Sequence, residues 1–170
     1  MPVKPYQYLA LETDRTILKV LTLEYVNEVF LLFSDPNITK YMDIEPCKEK
    51  KEAEEIINYH LEDAGCRWGI FNKVDQGFMG TCGFHYLRKI ENGIVAEIGY
   101  DLGTSYWGKG YMLEVLTSLI DYGFHEMNLK AIDATVNPNN IKSIKLLERL
   151  KFIKSDESVD NLLYFQLNNN

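Results

Sequence analysis

The sequence predicts a single domain over residues 1–170, of the α+β class with a mixed sheet. Three strand-like runs follow one another with turn residues between them, which favours an antiparallel meander. Further along, a strand, a loop, a long helix and another strand follow in that order, and this crossover places the two strands parallel to each other. No repeat, low-complexity block or Gly/Ser-rich linker divides the chain. We therefore expect a central mixed, mostly antiparallel sheet of about seven strands, flanked by about four helices.

The first third of the chain predicts one strand and two helices. Branched and apolar residues dominate 16–20, which is typical of a strand. Thr22 can cap a helix that runs to about Phe33, where Asp35-Pro36-Asn37 stops it. A second helix over 48–64 has a narrow apolar stripe and ends at the glycine that follows.

The middle of the chain predicts the meander, with strands at 67–72, 77–87 and 94–102. The turn sequences Asp75-Gln76-Gly77 and Glu91-Asn92-Gly93 make these strands consecutive hairpins. A glycine-containing loop then opens a long helix that starts at Tyr111 and has one apolar face. The remaining predicted elements are a strand at 131–136, a helix at 141–150 and two short strands at 152–154 and 162–167.

Composition argues against several classes of function. The formal net charge is −7 and no basic stripe is visible, so we expect no nucleic-acid partner. No apolar run has the length of a signal peptide or a membrane span, so we expect a cytoplasmic protein without a membrane partner. Cys47, Cys66 and Cys82 form no CxxC pair and indicate free thiols in a reducing compartment. No His/Asp/Glu cluster has metal-ligand spacing, and we expect no metal.

The loop before the long helix is the strongest candidate for a ligand site. Gly108 and Gly110 flank Lys109 at the start of this helix. Closely spaced glycines let successive backbone N–H groups point to one spot at the positive end of the helix dipole, which suits a pyrophosphate. Glycines also serve purely structural turns at such positions. Neither GxGxxG nor GxxxxGK[ST] occurs here, which argues against a dinucleotide fingerprint and a Walker loop.

Two motifs resemble a known family. The run Ala96-Glu97-Ile98-Gly99-Tyr100-Asp101-Leu102, followed by Tyr106-Trp107-Gly108-Lys109-Gly110-Tyr111 and Glu114, resembles the central motif of the GNAT superfamily of N-acetyltransferases. Within the superfamily it is similar to the branch named for ribosomal-protein-alanine N-acetyltransferases. The second motif of that branch resembles 136–143 and 147–152, and its first strand resembles 11–15.

Three positions bear on how closely the motifs agree. Trp107 holds the first position of the loop motif, as in this branch, where the superfamily often has Gln or Arg. Met112 holds the last position, where a small residue is usual, and its side chain can either crowd the phosphate approach or turn into the core. Lys151 stands where a glycine usually precedes the phenylalanine.

The resemblance implies acetyl-CoA as the acetyl donor and a set of residues that contact it. In the superfamily the pantetheine arm lies between two parallel strands that splay apart, here 97–102 and 131–136. The implied cofactor-binding residues are Tyr100, Leu102, Trp107, Gly108, Lys109, Gly110, Tyr111, Met112, Asn140 and Ser143. The alternative for these positions is a structural role. Asn140 and Ser143 would then only cap a helix, and Tyr106 and Tyr111 would only pack against neighbouring side chains.

The resemblance also implies catalytic roles. Glu97 is the candidate general base, acting through a water, with Asp101 two positions along the same strand face as second choice. Ser143 is the candidate proton donor to the thiolate, and a backbone N–H near Tyr100 is the candidate oxyanion donor. Glu97 can instead be an ordinary surface residue of a half-exposed strand. His85 can face the cleft or be a structural histidine.

The other two histidines, His60 and His125, lie near predicted helix C-termini, where a partly charged imidazole is stabilised.

The acceptor implied by the resemblance is a primary amine, either a protein N-terminus or a small molecule, and the acidic charge favours a basic one. We expect 38–43 and the turn at 89–93 to border its cleft. The alternative is a catalytically silent acetyl-CoA-binding module, and the resembled branch often forms homodimers.

Overall fold

One eight-stranded sheet forms the centre of the computed structural model, which describes residues 4–170. The strands are β1 (Leu11–Glu12), β2 (Thr16–Val20), β3 (Cys66–Asn72), β4 (Phe78–Ile90), β5 (Gly93–Leu102), β6 (Ala131–Val136), β7 (Ile153–Val159) and β8 (Leu162–Asn168). Their order in the sheet is β1-β2-β3-β4-β5-β6-β8-β7, and every neighbouring pair is antiparallel except β5 and β6. The predicted mixed, mostly antiparallel sheet is therefore confirmed.

Helices pack on the sheet through two separate clusters of buried side chains. The helices are α1 (Val26–Phe33), α2 (Pro36–Thr39), α3 (Lys50–Glu62), α4 (Tyr111–His125) and α5 (Ile141–Arg149). One cluster joins α1 and α3 through residues such as Val29 and Ile57, and the larger one joins α4 and α5 to the strands through residues such as Leu116 and Leu147. None of the helices described is long and apolar enough to cross a bilayer.

The start of the first helix differs from the prediction. Thr22 precedes a short 3-10 turn, Leu23–Tyr25, and its side chain makes no capping hydrogen bond. Helix α1 begins only at Val26, so the Thr22 hydroxyl is too far along the chain to reach its first amides. The prediction that Thr22 caps this helix is wrong, whereas its end at Phe33 is confirmed.

The two parallel strands pair over only three positions. Val95, Ala96 and Glu97 of β5 lie opposite the first three residues of β6. Beyond Glu97, β5 remains paired with β4 as far as Leu102, and β6 remains paired with β8 along its whole length. Since each strand follows its other neighbour, a gap opens between β5 and β6 on the carboxyl side of Glu97.

Two sequence features find a local explanation. Lys151 has a φ of 72°, a left-handed conformation that favours glycine, which accounts for the glycine usual at this position in the resembled motif. Cys47, Cys66 and Cys82 are all buried and free, as expected for thiols that pair with nothing. Burial raises the pKa of Cys66 and Cys82 to about 12, so both thiols stay protonated at neutral pH.

Candidate active site

Backbone groups line the gap between β5 and β6. Gly103, at the end of β5, donates its N–H to Met79 of β4 at 2.8 Å, so this residue faces β4. Successive residues of a strand direct their peptide groups to alternate sides, and the groups of Ile98 and Tyr100 therefore face the gap. The ladder with β6 ends at Glu97, which leaves these groups available to an extended ligand.

The loop that follows β5 presents an open backbone at the start of α4. Gly108 has a φ of 73° and Gly110, the residue before the helix, a φ of 78°. A Cβ added to Gly108 would meet no atom within 4 Å. Glycine is therefore favoured at 108 by the left-handed backbone and not by crowding. Open amides at the positive end of a 15-residue helix suit a diphosphate, so the residues present fit the phosphate part of coenzyme A.

Trp107 fixes this loop to both neighbouring elements. Its indole Nε1 donates a hydrogen bond to the carbonyl of Leu102 at 2.7 Å, and the ammonium of Lys142 in α5 lies 3.9 Å from the centre of its ring. Lys109 is one of the implied cofactor-binding residues. Its Nζ donates to the carbonyl of Ser105 at 3.0 Å, so its charge is held within the loop.

Glu114, in the first turn of α4, anchors the loop to the first strands. Its carboxylate accepts hydrogen bonds from Thr13 Oγ1 at 2.6 Å and from the backbone N and side-chain Nε of Arg15 at 3.0 and 2.8 Å. Burial acts to raise the pKa of Glu114, but these hydrogen bonds outweigh it and hold the pKa below its ordinary value. The Arg15 guanidinium also lies 4.0 Å from the centre of the Tyr111 ring.

The side chain of Met112 turns into the core, so it does not crowd the approach of a phosphate to the loop.

A hydroxyl pair lies beside the gap, at the start of α5. Asn140 Oδ1 accepts a hydrogen bond from the backbone N–H of Ser143 at 3.3 Å. Asn140 therefore caps the helix, as the structural alternative for this residue predicts. The Ser143 hydroxyl is hydrogen-bonded to the phenol of Tyr100. Burial raises the pKa of Tyr100 to about 12 although the Ser143 hydrogen bond acts to lower it, so the phenol is protonated at neutral pH.

Glu97 lies on the opposite face of β5 from Tyr100, because side chains alternate along a strand. Its Oε1 lies 2.8 Å from His85 Nε2 on β4. The side chain of Glu97 is 22% exposed, so it is partly buried and paired, unlike an ordinary surface residue. His85 was expected either to face the cleft or to be structural, and the structure places it against the candidate base.

The second candidate base is occupied by other contacts. Asp101 Oδ2 accepts hydrogen bonds from Arg67 Nη2 at 2.6 Å and from the Thr81 hydroxyl at 2.9 Å. Arg67 Nε also donates to Thr81 at 3.0 Å, and all three residues are buried. Only 7% of the Asp101 side chain is exposed. This arrangement makes Asp101 a structural ion-pair partner.

Sequence reasoning missed a third carboxylate on this face. Asp133 of β6 lies opposite Glu97 in the parallel register and is only 2% exposed at its side chain. Its Oδ2 accepts hydrogen bonds from Arg88 Nη2 at 2.6 Å and from the phenol of Tyr164 at 2.7 Å. These partners lie 45 and 31 residues away along the chain, so no local spacing could have indicated them.

The prediction for His60 is wrong. Its imidazole, near the end of α3, was expected to be partly charged by the helix dipole. Burial lowers its pKa to about 3, and the positive charge of Arg67 acts in the same direction. Desolvation therefore outweighs the dipole, and His60 is neutral at physiological pH.

A cavity of about 370 Å³ lies between α1 and the 103–106 segment. Its carboxylates come from Glu28 and Asp35, and it has no basic side chain in its lining. One oxygen of Glu28 is buried without a hydrogen-bond partner. Ile38, from the 38–43 segment, lines this cavity, and the turn at 89–93 does not.

Comparisons with known proteins agree with this geometry. Residues 15–153 match the acetyltransferase (GNAT) domain family. The uncharacterized N-acetyltransferase p20 of Bacillus licheniformis is 43% identical over 148 residues, which cover 85% of this chain and 82% of that protein. The ribosomal protein uS5-alanine N-acetyltransferase of Escherichia coli is 30% identical over 108 residues, which cover 64% of this chain and 55% of that protein.

The fold is also shared with solved acetyltransferase structures. Spermidine N-acetyltransferase from Vibrio cholerae, in complex with CoA and spermine, superposes with a TM-score of 0.76 at 22% identity, over 90% of this chain and 95% of that chain. The domain match over most of the sequence and the 43% identical relative show the family. This chain belongs to the GNAT acetyltransferase family and is an acetyl-CoA-dependent N-acetyltransferase.

Proposed function

We propose that the chain transfers the acetyl group of acetyl-CoA directly to a primary amine, with Glu97 as general base through a water. The observation that carries the proposal is the gap between β5 and β6, which opens at Glu97 itself. The backbone groups of Ile98 and Tyr100 face this gap. The donor thioester and the carboxylate can therefore approach the same point from two faces of the sheet.

The choice of base rests on exposure and contacts. Three carboxylates share this region, and their side chains are 22%, 7% and 2% exposed for Glu97, Asp101 and Asp133. The two buried carboxylates are each tied to an arginine. A base must reach the proton that it removes, directly or through one water, and Glu97 is the carboxylate with access to solvent.

The donor is held mainly by backbone groups. The amides of the 107–112 loop bind the diphosphate, and the backbone of Tyr100 and Leu102 pairs with the pantetheine arm. Asn140 and Ser143 contact the arm from the start of α5, where Asn140 also caps the helix. When bound, acetyl-CoA supplies the activated thioester carbonyl.

Residues of the chain then transfer protons and stabilise the charge that develops during the reaction. Glu97 takes one proton from the acceptor ammonium through a water, and the neutral amine forms the new C–N bond as the C–S bond breaks. The Tyr100 N–H stabilises the negative charge that develops on the carbonyl oxygen. The Ser143 hydroxyl, hydrogen-bonded to the Tyr100 phenol, gives a proton to the leaving thiolate. The second proton, which the nitrogen loses as the amide forms, returns to Ser143 through water.

A basic acceptor fits the acidic charge of the molecule. The net charge is −7, and the cavity beside α1 carries Glu28 and Asp35 without a basic side chain. The named relatives act on a ribosomal-protein alanine and on spermidine, which are a protein N-terminus and a small polyamine. We propose an acceptor from one of these two classes of primary amine.

Release of free thiol from acetyl-CoA tests the function directly. The purified chain is assayed with N-terminal peptides, with and without a basic residue near the amine, and with a panel of small amines. We expect turnover on at least one cationic acceptor. Thermal stabilisation by CoA with no thiol release on any acceptor would indicate a silent acetyl-CoA-binding module instead.

A further inference from the structure

His85 and Glu97 form a direct pair across two antiparallel strands. The two residues lie opposite each other in the register of β4 and β5, so their side chains leave the sheet on the same face. His85 Nε2 and Glu97 Oε1 are 2.8 Å apart, which is a normal hydrogen-bond length. The pair stands where β5 and β6 separate.

The other ring nitrogen determines which atom of His85 carries the proton. Nδ1 is buried and has no hydrogen-bond partner. A proton there would be an orphaned buried donor, which is the more costly arrangement. The neutral ring therefore carries its proton on Nε2 and donates it to Glu97. The imidazole is a fixed donor and holds one oxygen of the carboxylate.

The backbone is shaped to bring the imidazole to this position. The β4–β5 register shifts immediately after His85, and the next residue, Tyr86, has a φ of 51°. The ring lies over Gly99 of β5, where a Cβ would stand 2.9 Å from His85 Cε1 and 2.6 Å from Arg67 Nη1. The bulge and the absent side chain together admit the ring beside Glu97.

The charged groups around this pair are already matched with one another. Arg67 is bonded to Asp101 on one side, and Arg88 is bonded to Asp133 on the other. His60, which adjoins from α3, is neutral because burial lowers its pKa to about 3. The carboxylate of Glu97 therefore depends on His85 for its orientation.

We infer that His85 is the positioning residue of the proposed base: its Nε2–H fixes Oε1 of Glu97 and leaves Oε2 directed to the water and the acceptor amine. This inference rests on the proposed function of Glu97. It assigns to the imidazole the single task of donating a hydrogen bond, without proton uptake. The side-chain amide of glutamine can place an N–H donor near the position of Nε2, so glutamine should substitute for it.

Nitrogen NMR of ¹⁵N-histidine-labelled protein tests the assignment without any activity. The chain has three histidines, and the signals of His85 are those lost in His85→Gln. At neutral pH we expect the neutral form with the proton on Nε2. A proton on Nδ1, or a doubly protonated ring, would overturn the inference even if no acceptor had been found.

Steady-state kinetics test the role once an acceptor is known. We expect His85→Ala to lower kcat by about tenfold or more, part of the 10²–10⁴-fold that a positioned base contributes, while the affinity for CoA is unchanged. The acid limb of the pH profile should move to higher pH, because a hydrogen bond to the charged carboxylate has been removed. His85→Gln should recover kcat to within about threefold of the unaltered chain.

His125→Gln is the matched control, because His125 is exposed near the end of α4 and bonds only within its own helix turn. Its kinetics should equal those of the unaltered chain. An unchanged kcat and pH profile in His85→Ala would refute the positioning role. Equal losses in the Ala and Gln variants would refute it too, since the imidazole would then be needed for its own proton. Absence of turnover in the unaltered chain would count against the proposed function, and the NMR result would still decide the inference.

Discussion

The donor side and the acceptor side of this site are built in different ways. On the donor side, one contiguous segment supplies backbone amides, two left-handed glycines and the start of a helix. On the acceptor side, side chains from separate strands and 12 to 45 residues apart form three carboxylate pairs. The comparison shows that a loop suited to phosphate is local in sequence, whereas the surroundings of the proposed base depend on strand pairing.

The three carboxylate pairs also differ among themselves. Asp101 and Asp133 are buried and matched with arginines, while Glu97 is more exposed and matched with an imidazole. A buried ion pair holds its charge state fixed, which suits structure, and a partly exposed carboxylate can exchange a proton with substrate. The same face thus contains two fixed pairs and one that is suited to proton transfer.

The largest effect should come from the base itself. Glu97→Gln should lower kcat by about 10²–10⁴-fold and flatten the acid limb of the pH profile, because the amide cannot take a proton. Binding of CoA, followed by calorimetry, should be retained. Glu91→Gln, in the exposed β4–β5 turn, is the control and should be fully active. A Glu97→Gln enzyme with an unaltered pH profile would show that Glu97 is not the base.

Removal of Arg67 tests whether Asp101 is structural. Arg67→Met should lower the free energy of unfolding by about 3–5 kcal/mol, because a buried carboxylate is left without its partner. Urea denaturation measures this change, and the exposed Arg149→Met is the control. The double variant Arg67→Met/Asp101→Leu should regain much of the loss. A single variant as stable as the control would contradict a structural role for the pair.

The loop glycines provide a test of the donor side. Gly110→Val places a branched residue at a φ of 78° and should cost about 1–3 kcal/mol of local strain. The affinity for CoA, measured by calorimetry, should therefore fall by about tenfold or more. Gly110→Asn is the matched variant, because asparagine tolerates left-handed backbone, and it should bind CoA more tightly than the valine variant. Equal affinities in all three proteins would mean that this loop does not bind the donor.

The smallest effect concerns the anchor of the loop. Because hydrogen bonds hold the folded pKa of Glu114 below its ordinary value of 4.5, its contribution to stability is present above that pH and is lost as the pH falls through the folded pKa. Glu114→Gln should lower the melting temperature by about 2–4 °C at pH 7, and the difference from the unaltered chain should shrink on acidification. A difference that stays constant from pH 7 to pH 3 would rule out the charge as its origin.

Much of the fold could be predicted because its elements are marked locally. The bounds of β2 and β6 agree with the prediction residue for residue, since branched residues and turn sequences delimit them. Thr22 was misassigned because a 3-10 turn precedes α1, and no periodicity distinguishes such a turn from a helix. The splayed strand pair was expected only from a family resemblance, as strand divergence leaves no mark in hydrophobic pattern.

The residues of the candidate site also differ in whether the sequence could identify them. Gly108, Gly110 and the start of α4 were identifiable because left-handed turns and helix N-termini are properties of a short segment. The partner of Glu97 was not, since His85 reaches it across a hairpin whose register is shifted by a bulge. Sequence by itself determined where a loop suited to a diphosphate lies and which carboxylates are available. Only the tertiary structure decided which carboxylate is free to act, because burial and pairing across strands set that choice.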